Sequence, residues 1–269
     1  RILRQSHYDV ILDAQGLLKS AVVARLARGG VRAGLSRSSA RESLAAWFYS
    51  HPVDVPKGQH AVLRLRTLFA QALGYAQPVT GVDYGLALTV QAQPPRLMLL
   101  HGTTWESKHW PETMWIDLAR RAKDDGFEVV LPWGSDIEKQ RAQRIGEAAA
   151  AEVLPRLDLS GLLSELKKCS LVIGVDSGLP HLAAALGLPT LGLYGSTSPE
   201  LTGTLGPRAH NLKAEFACSP CLVRRCAYKG QRVTWNGQPI TPACFASLPP
   251  QEVWRQAKRL NNASSVLHL

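Results

Sequence analysis

Residues 171–194 read LVIGVDSGLPHLAAALGLPTLGLY, and their pattern decides the fold. Leu171 to Val175 is a short, wholly apolar run bounded by turn residues, the pattern of a strand buried on both faces. Asp176-Ser177-Gly178 breaks it. A short helix is predicted over His181 to Leu186, Gly187 stops it, and Thr190 to Tyr194 is a second apolar strand. Strand, helix and strand in so few residues describe a parallel crossover unit.

The same rhythm extends upstream. Arg96 to His101 reads as a strand, Gly102 to Trp110 as a polar loop, and Pro111 as the first position of a helix running to about Asp125, which Gly126 ends. Phe127 to Leu131 is the next strand. Helices follow from about Ile137 to Ala151 and over Leu159 to Lys168. Strands alternating with helices predict a doubly wound parallel sheet, which binds ligands at the carboxyl ends of its strands. Beyond about Leu205 the pattern is irregular until Pro249 starts a final helix through Arg259.

The first third alternates too, but is short for a complete doubly wound domain. Tyr8 to Leu12 is a strand ending at Asp13. A helix is predicted from Leu17 to about Arg28 and stopped by Gly29-Gly30, with Val31 to Leu35 a further strand. Ser38 or Ser39 is expected to cap a helix reaching about Tyr49. A loop containing Pro52, Pro56 and Gly58 leads to a helix carrying Val62, Leu65, Phe69 and Ala72, closed by Gly74. The chain has 269 residues, suiting two domains. We place their boundary at Gln91-Ala92-Gln93-Pro94-Pro95, giving domains 1–93 and 94–269.

Composition excludes several classes. Apolar residues make up 45% and charged residues 19%, too apolar for a disordered chain. The most apolar stretch, Leu179 to Tyr194, is interrupted by Pro180, His181 and Pro189, so no run spans a bilayer. Net charge is +10, and residues 1–93 carry +6 of it, from 11 basic and 5 acidic residues. That excess suits an anionic partner as well as it suits simple solubility. A nucleic-acid module is a rival, but the basic residues are dispersed and no binding motif is present.

Five cysteines and no signal peptide favour a reducing compartment. Cys169 reads as a buried thiol. Cys218, Cys221, Cys226 and Cys244 follow a C-x2-C-x4-C-x17-C spacing. The first pair can open a thiolate metal site, but no second C-x2-C completes it. Unligated thiols in a loop are the expectation, with metal, and after it a functional disulfide, the alternatives.

Three loops carry candidate chemistry. His101-Gly102-Thr103-Thr104-Trp105-Glu106-Ser107-Lys108 follows a strand and opens a helix. Its small residues and hydroxyls admit a phosphate, and Lys108 adds a point charge beside a helix N-terminus. Asp176-Ser177-Gly178 with His181 is a second such turn. Leu131-Pro132-Trp133-Gly134-Ser135-Asp136-Ile137-Glu138 places Glu138 where a carboxylate either suits the helix dipole or bonds a ribose. Neither a G-x-G-x-x-G fingerprint nor a Walker sequence is present, which argues against NAD binding and P-loop chemistry.

Taken together, these loops resemble those of the lipopolysaccharide heptosyltransferases, glycosyltransferases of the GT-B architecture. Carrying the resemblance are Asp13-Ala14-Gln15-Gly16-Leu17-Leu18-Lys19-Ser20, Ser39-Ala40-Arg41-Glu42, Thr103-Thr104 through Lys108-His109-Trp110-Pro111-Glu112, Leu131-Pro132-Trp133-Gly134 and Val175-Asp176-Ser177-Gly178-Leu179-Pro180-His181-Leu182. The first two stretches look closest to the type I branch, which adds the first heptose to the Kdo sugars of lipid A. The cysteine cluster is more reminiscent of other members, leaving a type II-like enzyme or another nucleotide-sugar as alternatives.

The resemblance implies two Rossmann-like domains, the first incomplete, and inverting transfer of heptose from ADP-heptose to Kdo-lipid A. It implies a donor site of Thr103, Thr104, Lys108, Glu138, Asp176, Ser177, Gly178 and His181. Lys108 would stabilise the leaving diphosphate, and Lys19 and Arg41 would meet the anionic acceptor. It further implies peripheral contact with an anionic inner membrane on its cytoplasmic face, no nucleic-acid partner, and no cofactor or obligatory metal, since no Asp-x-Asp motif is present. The family's general base is an aspartate near the protein's start. Residue 1 is Arg, and no matching loop precedes Tyr8. The base is therefore expected upstream of residue 1, and Asp13 reads as a loop-capping carboxylate.

Overall fold

The computed structural model describes residues 2–78, 81–86 and 95–265. The chain divides into two compact units, Arg1–Thr80 and Gly81–Leu269. The boundary expected between residues 93 and 94 lies outside the described residues.

In the first unit three parallel strands, β1 (His7–Asp13), β2 (Arg28–Leu35) and β3 (His51–Val53), pair in the order β1-β2-β3. Helix α1 (Leu18–Leu26) joins β1 to β2, and α2 (Ala61–Leu73) follows β3, closing at Gly74 as its sequence predicts. Three expectations need correction. Helix α1 ends at Leu26, and Gly29-Gly30 belong to β2 rather than stopping the helix. A Cβ on Gly29 would lie 2.5 Å from the Tyr8 carbonyl oxygen, so this glycine lets two strands pass closely. Ser38 and Ser39 cap no α-helix: a 3-10 turn covers Ser43–Phe48 with Glu42 at its N-cap. The two hydroxyls instead bond Asp54 and the Val55 N–H. Pro52 lies in β3, an edge strand where its missing N–H costs no ladder bond.

The second unit carries six parallel strands: β4 (Arg96–Leu100), β5 (Glu128–Leu131), β6 (Glu152–Val153), β7 (Leu171–Val175), β8 (Thr190–Tyr194) and β9 (Ala209–Lys213). Their spatial order is β6-β5-β4-β7-β8-β9. This is the doubly wound order of a Rossmann-like sheet, with its direction of winding reversing between β4 and β7. Helices α3 (Glu112–Asp124), α4 (Asp136–Ala149), α5 (Leu159–Leu166), α6 (Gly178–Ala185), α7 (Pro199–Thr202) and α8 (Pro250–Ser265) lie in the same unit. Two details depart from expectation. The helix after β7 starts at Gly178, not His181, because the turn closes at once on Ser177. The region after Leu205 holds a strand, β9, whose alternating, half-exposed pattern is that of a sheet edge.

Alternation along β4 shows why the sheet is covered on both faces. Leu97 and Leu99 pack with Trp110, Trp115, Leu118 and Trp254 on one side. Met98 and Leu100 pack with Leu162, Leu166 and Ala183 on the other. Cys169 joins that second cluster, and burial pushes its thiol up to about 12, as a structural cysteine requires. Helix α6 sits close to β7 because position 174 is glycine. A Cβ there would fall 2.6 Å from Pro180 Cγ and 2.9 Å from Leu100 Cβ. Gly174→Ala should therefore cost about 1–3 kcal/mol, the range for overpacking a core. Urea unfolding measures this, and an unchanged midpoint would show that α6 moves freely off the sheet.

Candidate functional site

The reversal of winding leaves a cleft of about 480 Å³ at the carboxyl ends of β4, β5 and β7. Thr103, Thr104 and Lys108 enter from the β4–α3 loop, Glu138 from the first turn of α4, and Asp176, Ser177 and Gly178 from the β7–α6 turn. Thus seven of the eight residues expected to hold a donor line one cleft. The eighth, His181, stands half-buried one turn into α6 and is not on the lining.

Lys108 Nζ and Asp176 Oδ2 form an ion pair at 2.8 Å, both side chains largely buried. Thr197 Oγ1 donates to the same carboxylate oxygen at 2.6 Å, and Thr103 Oγ1 donates to the Asp176 carbonyl at 3.1 Å. These contacts tie the β4 and β7 loops together across the winding reversal. Ser177 takes the N-cap position of α6 but makes no side-chain cap bond, and its buried hydroxyl lacks a protein partner. The first N–H groups of α6 have no partner within the helix. A hydroxyl, free N–H groups and an ammonium around one opening suit an anionic ligand.

Glu138 forms a capping box with Ser135: its Oε2 accepts from Gly134 N at 2.8 Å and Ser135 N at 3.2 Å. Its Oε1 lies against Gly102, where a Cβ would come within 2.5 Å. The carboxylate therefore holds its own helix start and also borders the cleft. The wall beyond it is apolar, made by Trp133, Leu157, Leu159, Leu162 and Leu179. Trp133 is braced by a bond from Nε1 to the Leu154 carbonyl at 2.7 Å. Sequence reasoning gave neither this wall nor Thr197 a role. Gly195-Ser196-Thr197-Ser198, hydroxyl-rich and directly after a strand, was the available signal for Thr197.

In the first unit, Lys19, in the first turn of α1, and Arg41, in the loop before the 3-10 turn, are both exposed on segments stitched together. Glu42 Oε2 accepts from Leu18 N at 2.6 Å, capping α1 from the Arg41 loop, and Glu42 N donates to the Gly16 carbonyl at 3.1 Å. Lys19 borders a second cleft of about 750 Å³ with Tyr8, Val10 and Val23; Arg41 does not. Asp13 is buried, accepting from Gln15 N at 2.8 Å and Tyr49 Oη at 2.6 Å. Burial and the Asp13 carboxylate push the Tyr49 phenol up. Asp13 is thus committed to holding its loop.

Cys218, Cys221, Cys226 and Cys244 line a separate cavity of about 330 Å³ as free thiols. Among the described residues no three Cys, His, Asp or Glu side chains stand in metal-holding geometry, and no helix is long and apolar enough to cross a membrane.

His101, 1% exposed, directly follows β4 at the floor of the cleft. Burial, then the Arg141 guanidinium, pulls its imidazole down to about 4, so it is neutral near pH 7. The unfolded chain takes up a proton below about 6.5 that the folded chain refuses until about 4. Stability contributed by the neutral ring is therefore whole above 6.5 and falls as pH drops toward 4, by about 3 kcal/mol. Urea unfolding from pH 7 to 4 should show a slope that His101→Leu reduces by up to one proton. Equal slopes would mean that the ring is not buried neutral.

The family model for glycosyltransferase family 9 (heptosyltransferase) matches residues 1–231. The lipopolysaccharide heptosyltransferase 1 of Pseudomonas aeruginosa is 45% identical over 273 aligned residues, covering 98% of this chain and 77% of that protein. Its namesake from Escherichia coli K12 is 44% identical over 211 residues, covering 76% of this chain and 66% of that one. Among solved structures, E. coli heptosyltransferase WaaC with ADP-2-deoxy-2-fluoro heptose superposes with a TM-score of 0.76 at 35% identity, over 96% of this chain and 74% of WaaC.

Proposed function

Because the chain belongs to glycosyltransferase family 9, the heptosyltransferases, we propose that it moves heptose from ADP-heptose to the Kdo region of lipid A in building the lipopolysaccharide inner core. The observation that carries this reading is the Lys108–Asp176 pair set in a cleft whose one end is polar and whose other end is apolar. An ADP-sugar has the matching layout. The adenine suits the wall of Trp133, Leu157 and Leu162, the ribose hydroxyls suit Glu138, and the diphosphate suits Thr103, Thr104, Lys108 and the start of α6 with Ser177, Gly178 and His181. The relatives named lipopolysaccharide heptosyltransferase 1, and a solved relative holding an ADP-heptose analogue, support the donor and the acceptor class.

In this reading the acceptor hydroxyl oxygen bonds to the anomeric carbon of the heptose from the face opposite the diphosphate. The bond from that carbon to the diphosphate oxygen breaks, and its electron pair leaves with ADP. Lys108 and the N–H groups of α6 meet the charge that grows on the leaving oxygen. The hydroxyl proton goes to a general base. Asp13 does not take that role, since both its oxygens are engaged and it is buried.

Lys19 and Arg41 serve the acceptor, whose carboxylates and phosphates suit exposed cations. Peripheral contact with an anionic membrane on the cytoplasmic face of the inner membrane is part of the same proposal. The +6 charge of residues 1–93 supports it. So do Leu44 and Trp47, the latter 73% exposed, which share one face of the 3-10 turn just after Arg41.

Calorimetric titration with ADP, UDP and ADP-heptose tests the donor assignment. ADP should bind in preference to UDP, and Lys108→Ala should weaken it at least tenfold, a loss of about 1.4 kcal/mol or more. Preference for UDP would move the reading to another glycosyltransferase. ADP affinity untouched by Lys108→Ala would remove Lys108 from the site.

A further inference from the structure

The charge in the cleft does not balance against a diphosphate. Asp176 lies 2.8 Å from Lys108 and cancels most of its charge. The N-terminus of α6 adds only about half an elementary charge, and burial leaves His101 neutral. A nucleoside diphosphate brings two or more negative charges, so a further cation is needed nearby.

Trp105 points to it. Lys108 Nζ sits 4.5 Å from the centroid of the Trp105 ring, and Arg224 Cζ sits 5.6 Å from the same centroid. One indole therefore holds two cations, one from the β4–α3 loop and one from the segment after Cys221. The backbone of that segment is pinned to the turn carrying Lys108. Ser107 N donates to the Arg224 carbonyl at 3.1 Å, and Ser107 Oγ donates to the Val223 carbonyl at 2.5 Å. Leu222 N donates to the Ser196 carbonyl at 2.8 Å. The neighbouring Arg225 faces Glu106 at 3.6 Å, whereas Arg224 has no carboxylate partner among the described residues. Its side chain is exposed, so a fixed backbone carries a guanidinium that can turn without breaking an ion pair.

We propose that Arg224 is a second diphosphate-binding cation of the donor site, swinging from Trp105 to the phosphates when the nucleotide arrives. This rests on the ADP reading above. Lys108 is then largely compensated by Asp176, and the planar fork of Arg224 supplies the uncompensated charge.

The test separates the diphosphate from the nucleoside. ADP and AMP are titrated into the wild type, Arg224→Gln, Arg224→Lys and Arg225→Gln. Arg224→Gln should weaken ADP tenfold or more and AMP no more than about twofold. Arg224→Lys should recover part of the loss, and Arg225→Gln should match the wild type. Position 224 is exposed, so the variants should keep the wild-type urea midpoint. Equal losses for ADP and AMP, or an unchanged ADP affinity, would overturn the assignment while leaving the ADP site standing. A folded wild-type protein that binds no ADP would overturn both.

Discussion

The Lys108–Asp176 ion pair crosses the one place where the sheet's winding reverses, and the cleft depends on it. A parallel sheet covered on both faces offers no opening except at its strand ends. Loops after β4 and β7 diverge there, and without a tie each would be free to drift. The pair, with Thr197 and Thr103 fixing the same aspartate, sets the spacing of the two loops. Its value lies less in stability than in position. Burying two charges recovers little of their desolvation cost, but removing either one strands its partner. That is the behaviour expected of a site tuned for an anion that will compete for the lysine.

The first unit uses the same device with other partners. A buried carboxylate, Asp13, takes the Tyr49 phenol, and an exposed one, Glu42, caps α1 from the neighbouring loop. Between them they hold the start of α1, with Lys19, beside the loop that carries Arg41. Ordinary capping thus determines where the exposed cations stand. For Glu138, a structural and a functional reading describe one side chain doing two jobs.

Much of the second unit was legible because its strands are buried on both faces and therefore read as unbroken apolar runs. Strands β4, β5 and β7 stand out for that reason, and the segments that follow them hold the seven of the eight expected donor residues that line the cleft. Elements that resisted reading are the ones with weak patterns. β6 has two residues and β9 is a half-exposed edge, so neither makes an apolar run. Gly29-Gly30 has the composition of a helix stop, yet serves a close strand crossing that becomes visible only once Tyr8 is placed beside it. Thr197 and Arg224 escaped for a third reason. Their partners, Asp176 and Trp105, lie far away in the chain, and no local spacing announces such a meeting.

The strand register carries a consequence for how the molecule forms. Arg96 pairs with Glu128 and Val172 with Thr190, both modest separations along the chain. Leu97 pairs with Leu171, the longest loop to close in this sheet. Loop closure of that length comes before its contacts reward it, which makes the β4–β7 seam a late event in assembly. Since the cleft is made by that seam, a half-formed sheet has no cleft. A ligand held there binds the finished protein alone and, by mass action, draws the folding equilibrium toward it. A ligand in the cleft is in this sense a latch on the last join of the sheet, and its presence there reports that the unit has closed.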